Sequence, residues 1–310
     1  MNPKSMSRRL WEQRQLQLMV IPGMIFILVF FYFPMYGLIV AFQNYKIGDP
    51  LFSLNADWVN FKHFETFIHA PEFMTIMRNT LAISVLRLLI TFPAPIILAI
   101  LINEVGNLRF KQIFQSVSYL PYFISWVIVG GLINSILSYN GTVNDLLMGM
   151  RLIEKPIMFM GEKSMFWYIL IGSDLWKNVG WNTIVFLAAM AAIDPSLYEA
   201  ASIDGANRGQ LIRYVTLPGI VSTTIIVFLM TVGSLLTYGF EPIMQLTNNL
   251  NNKQVLESAE IVDTHVLRMG IKLGNYSYAT AVGLFRSVIS VTMLAGANWI
   301  CKKKVGTGLW

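Results

Sequence analysis

Charge is scarce in this 310-residue chain. Asp, Glu, Lys and Arg together make up 13% of it, about half of what an ordinary soluble domain carries. Cysteine is nearly absent too, and the single Cys301 excludes an intramolecular disulfide. It closes an apolar run beside Lys302, Lys303 and Lys304 and reads as a small packing residue. The three histidines, His63, His69 and His265, fall in polar stretches without cysteine partners, poor material for a metal cage. No Gly-Lys dipeptide occurs anywhere, which excludes a phosphate-binding P-loop. Gly161-Glu162-Lys163-Ser164 and Gly306-Thr307-Gly308 are fragments without the rest of that motif. None of the histidines, the cysteine or the acids forms a catalytic constellation by spacing. The chain is expected to be no enzyme, and to hold no metal or cofactor of its own.

What is abundant is apolar surface. Hydrophobic residues are 55% of the chain and the mean hydropathy is +0.56, more than a soluble protein of this size hides. The apolar residues gather into six runs, near 17–42, 73–103, 113–138, 164–190, 217–240 and 278–301, each about as long as a helix that crosses a ~30 Å hydrocarbon core. An all-α polytopic membrane protein with six transmembrane helices follows. The first run carries no charge from Leu18 to Phe42. It is longer than the core of a cleavable signal and is expected to remain as a span. Pro22 and Pro34 within it are tolerable where neighbouring helices satisfy the freed backbone groups.

Six spans put both termini on one side, and the net charge of +6 says which. With the termini inside, the inner segments hold eleven cations against five acids and the outer loops eight against eleven. Four basic residues precede the first span and three follow the last. Cytoplasmic termini are expected, and the basic excess reports orientation, not nucleic acid. Outer loops of about 43–72, 139–163 and 241–277 are long enough to form structured caps. Residues 1–71 read as a basic terminus, an extra helix and a loop, residues 72–301 as a five-helix core, and 302–310 as a cytoplasmic tail.

One inner loop, about 191–216, is polar yet patterned like two short helices. Asp194 and Pro195 suit an N-cap and first turn. Leu197, Ala200, Ala201 and Asp204 recur at three and four, so they share one shallow face, and Gly205 permits a left-handed turn before a second short helix. Two alanines are poor lipid anchors; a close-approaching protein suits that face better.

Glu199-Ala200-Ala201, Asp204-Gly205-Ala206 and Leu217-Pro218 resemble, in order and spacing, the EAA loop of permease subunits of bacterial binding-protein-dependent ABC importers. Arg78-Asn79-Thr80, Tyr119-Leu120-Pro121-Tyr122-Phe123-Ile124-Ser125-Trp126, Gly180-Trp181-Asn182-Thr183 and the stretch from Tyr276 to Phe285 resemble the carbohydrate branch, near the maltose-type and polysaccharide- or lipoprotein-associated permeases. Ile212 stands where an aromatic is common. The resemblance implies a type I ABC importer transmembrane domain in a bacterial plasma membrane. It also implies a homologous second permease in a heterodimer, two ATPase subunits that bind ATP and Mg, and an external solute-binding protein. Glu199 would contact the ATPase, Ala200 and Ala201 permit close approach, Gly205 keep the turn and Ile212 plug it.

Charges inside the spans are costly and mark candidate sites. They are Arg78, Arg87, Asp174, Lys177 and Arg286. Asp174 and Lys177 are three apart on one helix and could neutralise each other; the remaining excess of cations either suits an acidic saccharide such as a uronate oligomer or consists of arginines that bridge helices or bind carbonyls. Arg87 and Arg286, with Tyr119, Tyr122, Trp126, Trp181, Asn182 and Tyr238, are the candidate lining of a sugar path. Asn134, Trp176 and Tyr278 share that chemistry. The alternative is an ion-gradient-driven secondary transporter, for which a broken midplane helix and coupled acids are expected.

Overall fold

The computed structural model describes residues 13–46, 48–50, 57–237 and 239–310. The basic residues Lys4, Arg8 and Arg9 and the path candidate Tyr238 lie outside the described residues. Among those described there is no strand, only an isolated antiparallel bridge between Gln43 and Trp58.

Three unbroken helices are long and apolar enough to cross a membrane: α1 (Arg14–Phe42), α3 (Phe73–Asn103) and α14 (Tyr276–Val305). Three bent pairs bring the spans to six if each pair counts as one. They are α4 (Leu108–Phe123) with α5 (Trp126–Ile136), α7 (Lys163–Ala191) with α8 (Pro195–Ile203), and α9 (Arg208–Gly219) with α10 (Val221–Ser234). The long connections are structured caps, built from α2 (Lys62–Ile68), α6 (Thr142–Gly149), α11 (Phe240–Leu246), α12 (Leu256–Ala259) and α13 (Val262–Leu267, continued by a π turn over Arg268–Lys272).

The third expected span is not straight. Pro121 sits in a 3-10 turn over Leu120–Phe123, Ile124 is extended, and the Ser125 hydroxyl accepts from Ile128 N to start α5 afresh. Proline removes a backbone donor and serine supplies a cap, so the chain turns by 95° there. The fifth run is shortened in the same way: its Leu217-Pro218 end belongs to α9, which meets α10 at 60°.

α7 runs 29 residues from the caps to the 191–220 segment, about 43 Å, and packs against α3, α4 and α10. Its tightest approach is at Gly180, where a Cβ would lie 2.0 Å from the Ser118 carbonyl oxygen of α4. α5 meets α11 at Gly130, where a Cβ would lie 2.6 Å from the Gln245 Cβ, and Asn134 donates to the Gln245 carbonyl in the same seam. α1 stands apart. Its first buried residues are Val40 and Ala41, at the end that packs on α14.

Two buried clusters join the caps to the spans. Ile83, Phe166, Leu170, Ile243, Leu246, Val255 and Ile261 form one buried cluster, and Phe67, Ile76, Val262, Tyr278 and Val282 another. Between them lies a polar knot. The Asn79 amide donates to the carbonyls of Glu257 (2.7 Å) and Glu260 (3.0 Å), and the Thr80 hydroxyl accepts from Val262 N. Glu260 accepts from Arg268 Nε at 2.7 Å and lies 3.3 Å from His265 Nδ1. The other His265 nitrogen is 3.1 Å from the Tyr278 hydroxyl. His265 is fully buried, so its sequence setting in a polar loop concealed a core residue. Tyr278 is buried in this knot.

Candidate functional site

The sequence candidates separate into two places, an elbow at one end of α7 and an aromatic cluster at the helix break.

The elbow forms as its residues dictate. The Asp194 carboxylate caps α8 by accepting from Ser196 N at 2.9 Å, and that bond holds its pKa below the ordinary carboxylate value. α8 ends in a paired closure, with Gly205 N donating to Ser202 O and Ala206 N to Ala201 O. This closure needs a left-handed residue, and Gly205 has φ +83°. Asn207 and Gln210 then cap α9 reciprocally. Ala201, Asp204, Gly205, Ala206, Gln210 and Tyr214 enclose a hollow of about 260 Å³ between the two arms. Glu199 and Ala200 lie on the exposed side of α8, and Glu199 engages no other side chain among the described residues. Ile212 is half-buried in a π turn over Ile212–Thr216.

The root of the elbow is fixed. The Tyr198 hydroxyl is 3.0 Å from Thr216 Oγ1, and Thr216 is buried. Ile220 packs with Ala99 of α3 and with Phe186 and Met190 of α7. Leu217 and Pro218 lie at this root, beside Ile220 and Ile96, and not at the hollow. The base of the elbow is therefore packed against α3 and α7.

At the helix break, Tyr122, Trp126 and Trp181 come together. Tyr122 and Trp181 are stacked, their ring centroids 4.4 Å apart and their planes at 3°, with Phe123 edge-on to Trp181 at 5.7 Å. Tyr122 and Trp181 keep about a third of their surface exposed, whereas Trp126 is buried. Tyr119 is half-buried on α4, and Asn182 is exposed next to Trp181. Lys177 occupies the centre. Its ammonium donates to the Tyr122 carbonyl at 2.7 Å and lies 5.2 Å and 5.8 Å from the Tyr122 and Trp126 ring centroids.

The ion pairs differ from the expected ones. Asp174 pairs with Arg87 of α3 at 3.3 Å and accepts from Asn178 at 2.6 Å; Lys177, one turn on, is turned toward the break. Arg286 is paired with Asp263 of α13, in the wall of a separate, mostly apolar groove of about 740 Å³ that α14 shares with Met35 and Leu38. Arg78 donates to its neighbour Asn79. Of the four cations expected in the spans, Arg87 and Arg286 are thus neutralised locally, Arg286 by an acid that the sequence assigned to a loop. Spacing along one helix favours the i, i+3 partner, whereas the pairs that form are between helices and have no sequence signal.

Lipid-length helices, buried caps and one exposed elbow define a polytopic membrane protein. The chain belongs to the family of binding-protein-dependent transport system inner membrane components, which matches residues 91–303. It is 41% identical to Protein LplB of Bacillus subtilis over 96% of this chain and 92% of that one. It is 39% identical to the polygalacturonan/rhamnogalacturonan transport system permease protein YteP of the same organism, over 97% and 92%. The fold matches a chain of a bacterial ABC transporter involved in import of the acidic polysaccharide alginate, with TM-score 0.88, 36% identity and coverage of 97% and 100%. It also matches a chain of the alginate transporter in complex with an alginate pentasaccharide-bound periplasmic protein, with TM-score 0.89. The protein is therefore an inner-membrane permease component of an ABC-type importer, and the ion-gradient alternative finds no support. The broken helix expected of that alternative is present, but in an importer permease.

Proposed function

We propose that this subunit forms half of the translocation path for an acidic oligosaccharide or polysaccharide. In this reading it pairs with a homologous second permease in a heterodimer, is loaded by an external solute-binding protein, and takes its force from two cytoplasmic ATPase subunits that hold ATP and Mg. Both termini are cytoplasmic, which places the elbow on the ATPase side and the caps toward the binding protein. Relatives and fold neighbours that handle polygalacturonan, rhamnogalacturonan and alginate support an acidic saccharide. The free arginines first expected to favour it do not, because Arg87 and Arg286 are ion-paired.

The observation that carries the coupling assignment is the elbow: an exposed Glu199-Ala200-Ala201 surface on a short helix whose base is tied to three spans. Glu199 makes charge-assisted contacts with the ATPase, the two alanines allow close approach, and the Gly205 closure fixes the angle of the arms. Tyr122, Trp126 and Trp181, with Asn182 beside them, offer ring faces and an amide to sugar rings at the break. Tyr119, Tyr238, Arg87 and Arg286 are the weaker path candidates.

The test is to purify the assembled transporter with Glu199→Ala or Gly205→Val and measure retained ATPase subunit and saccharide uptake. The expected result is loss of uptake by about tenfold or more, as for removal of a charge-assisted contact, with the permease itself still folded. Unchanged uptake and assembly in both variants overturn the coupling assignment.

A further inference from the structure

Arg87 and Arg286 each have a carboxylate partner, and Arg78 is exposed near the end of α3 against Asn79. Lys177 is different. It is midway along α7 and buried, and among the described residues no carboxylate is in ion-pair contact with it. Asp174 is committed to Arg87 and Asn178, and exposed Glu241 acts on Lys177 only from a distance. An ammonium has three donors. One is used by the Tyr122 carbonyl, and the rings of Tyr122 and Trp126 flank the charge. A cation inside a membrane protein is costly, and among the described residues Asp174 and Glu241 act on this one only through space, with no carboxylate in contact. The partly exposed Tyr122–Trp181 stack beside it is a flat apolar face of the kind a sugar ring covers.

We infer that Lys177 is the residue that reads the carboxylate of a uronate unit, while the Tyr122–Trp181 stack holds that unit's ring. The inference rests on the carbohydrate reading above and adds to it the group that separates acidic from neutral sugars. A carboxylate seated on the stack gains a charge-assisted hydrogen bond from Lys177, whereas an uncharged ring on the same face leaves the ammonium uncompensated.

The experiment uses the whole transporter in proteoliposomes, with its partner permease, ATPases and binding protein. The probes are tetragalacturonate and its methyl ester, which differ in charge at the same length. Lys177→Gln keeps a donor for the Tyr122 carbonyl and removes the charge; Lys177→Arg keeps the charge. Each variant is compared with wild type for each probe, so the binding protein's own preference cancels. The expected result is that K177Q lowers tetragalacturonate uptake by about tenfold or more, the scale of one charge-assisted hydrogen bond. Ester uptake stays within about twofold, and K177R restores the acid. Equal losses for both probes show that Lys177 only pins the helix break, and no loss for either shows that it reads nothing; both overturn the inference. Wild-type transporter that imports neither saccharide overturns the carbohydrate reading itself, and the inference with it.

Discussion

At the capped end of α7 the glutamate Glu260 is enclosed by Arg268, His265 and the Asn79 amide that binds its carbonyl. At the other end Glu199 stands exposed on a short helix and engages no other side chain among the described residues. The same residue type serves folding in one place and recognition in the other, and burial makes the difference. A buried polar group must find its partners within the chain, so the caps close on themselves and are rigid before anything binds. The elbow leaves one face open, which the proposed coupling fills with another protein, and spends its internal hydrogen bonds on shape: the Asp194 cap, the Gly205 closure and the Asn207–Gln210 box.

Melting temperature in detergent, read beside uptake, breaks this comparison if it is wrong. The largest stability effect is expected from Asn79→Ala. The amide is fully buried and serves two carbonyls from a distant connection. Leaving both without a donor costs about 3 kcal/mol, seen as a lower melting temperature and poor recovery of the subunit. A melting temperature equal to wild type contradicts the knot as a fold determinant.

Glu260→Gln comes next, at about 2 kcal/mol, and it carries a pH signature. Burial pushes the Glu260 carboxyl up, but hydrogen bonds from His265 and Arg268 and their charge outweigh it and hold the pKa below the ordinary 4.5. For a carboxylate depressed on folding, the stabilisation is complete above the ordinary value and is lost as pH falls through the lower one. Wild-type melting is expected to fall on acidification below about 4.5, and the Gln variant to show less of that fall. An identical pH profile in the two proteins removes Glu260 from the ledger.

How far sequence reached differs between the same two regions. The elbow was legible because its signals are local: a proline at a first turn, a capping aspartate, a glycine where φ must be positive, all within 25 residues of each other. The six apolar runs were legible for the same reason, since hydropathy accumulates along the chain. The knot was not. Asn79 and Glu260 are 181 residues apart, and His265 looks like a loop histidine until three other segments fold over it. The 95° bend at Ile124 lies between: Pro121 and Ser125 were visible, but apolar residues on either side hid the break within one continuous run. Pairing of Arg87 with Asp174, in preference to the nearer Lys177, is likewise a product of helix packing.

Gly205→Val tests the elbow's shape rather than its contacts. A β-branched residue at φ +83° is strained by roughly 1–2 kcal/mol, but the strain falls on an exposed turn with nothing within 4 Å of the added Cβ. The melting temperature should drop less than for Asn79→Ala, while uptake should drop more. If stability and uptake fall in proportion for both variants, the elbow is merely another structural part and the contrast with the caps dissolves.

The smallest effect on stability is expected where the elbow meets the spans. Tyr198→Phe removes one hydroxyl, whose partner Thr216 Oγ1 also reaches the Leu211 carbonyl within the turn. Thr216 is thus not left without a partner, and the loss should be about 1 kcal/mol or less. Its mechanical consequence is larger than its energy. Tyr198 lies on α8 and Thr216 on the π turn that leads into α10, so under the proposed coupling this bond is a direct polar tie between the driven and the moved part. The Phe variant should assemble with ATPase subunits as well as wild type, hydrolyse ATP at a similar rate, and import less saccharide per ATP. Unchanged stoichiometry would mean that force passes through the apolar contacts of Ile220 with Phe186 and Met190, and would move the coupling route from the hydroxyl to the packed root.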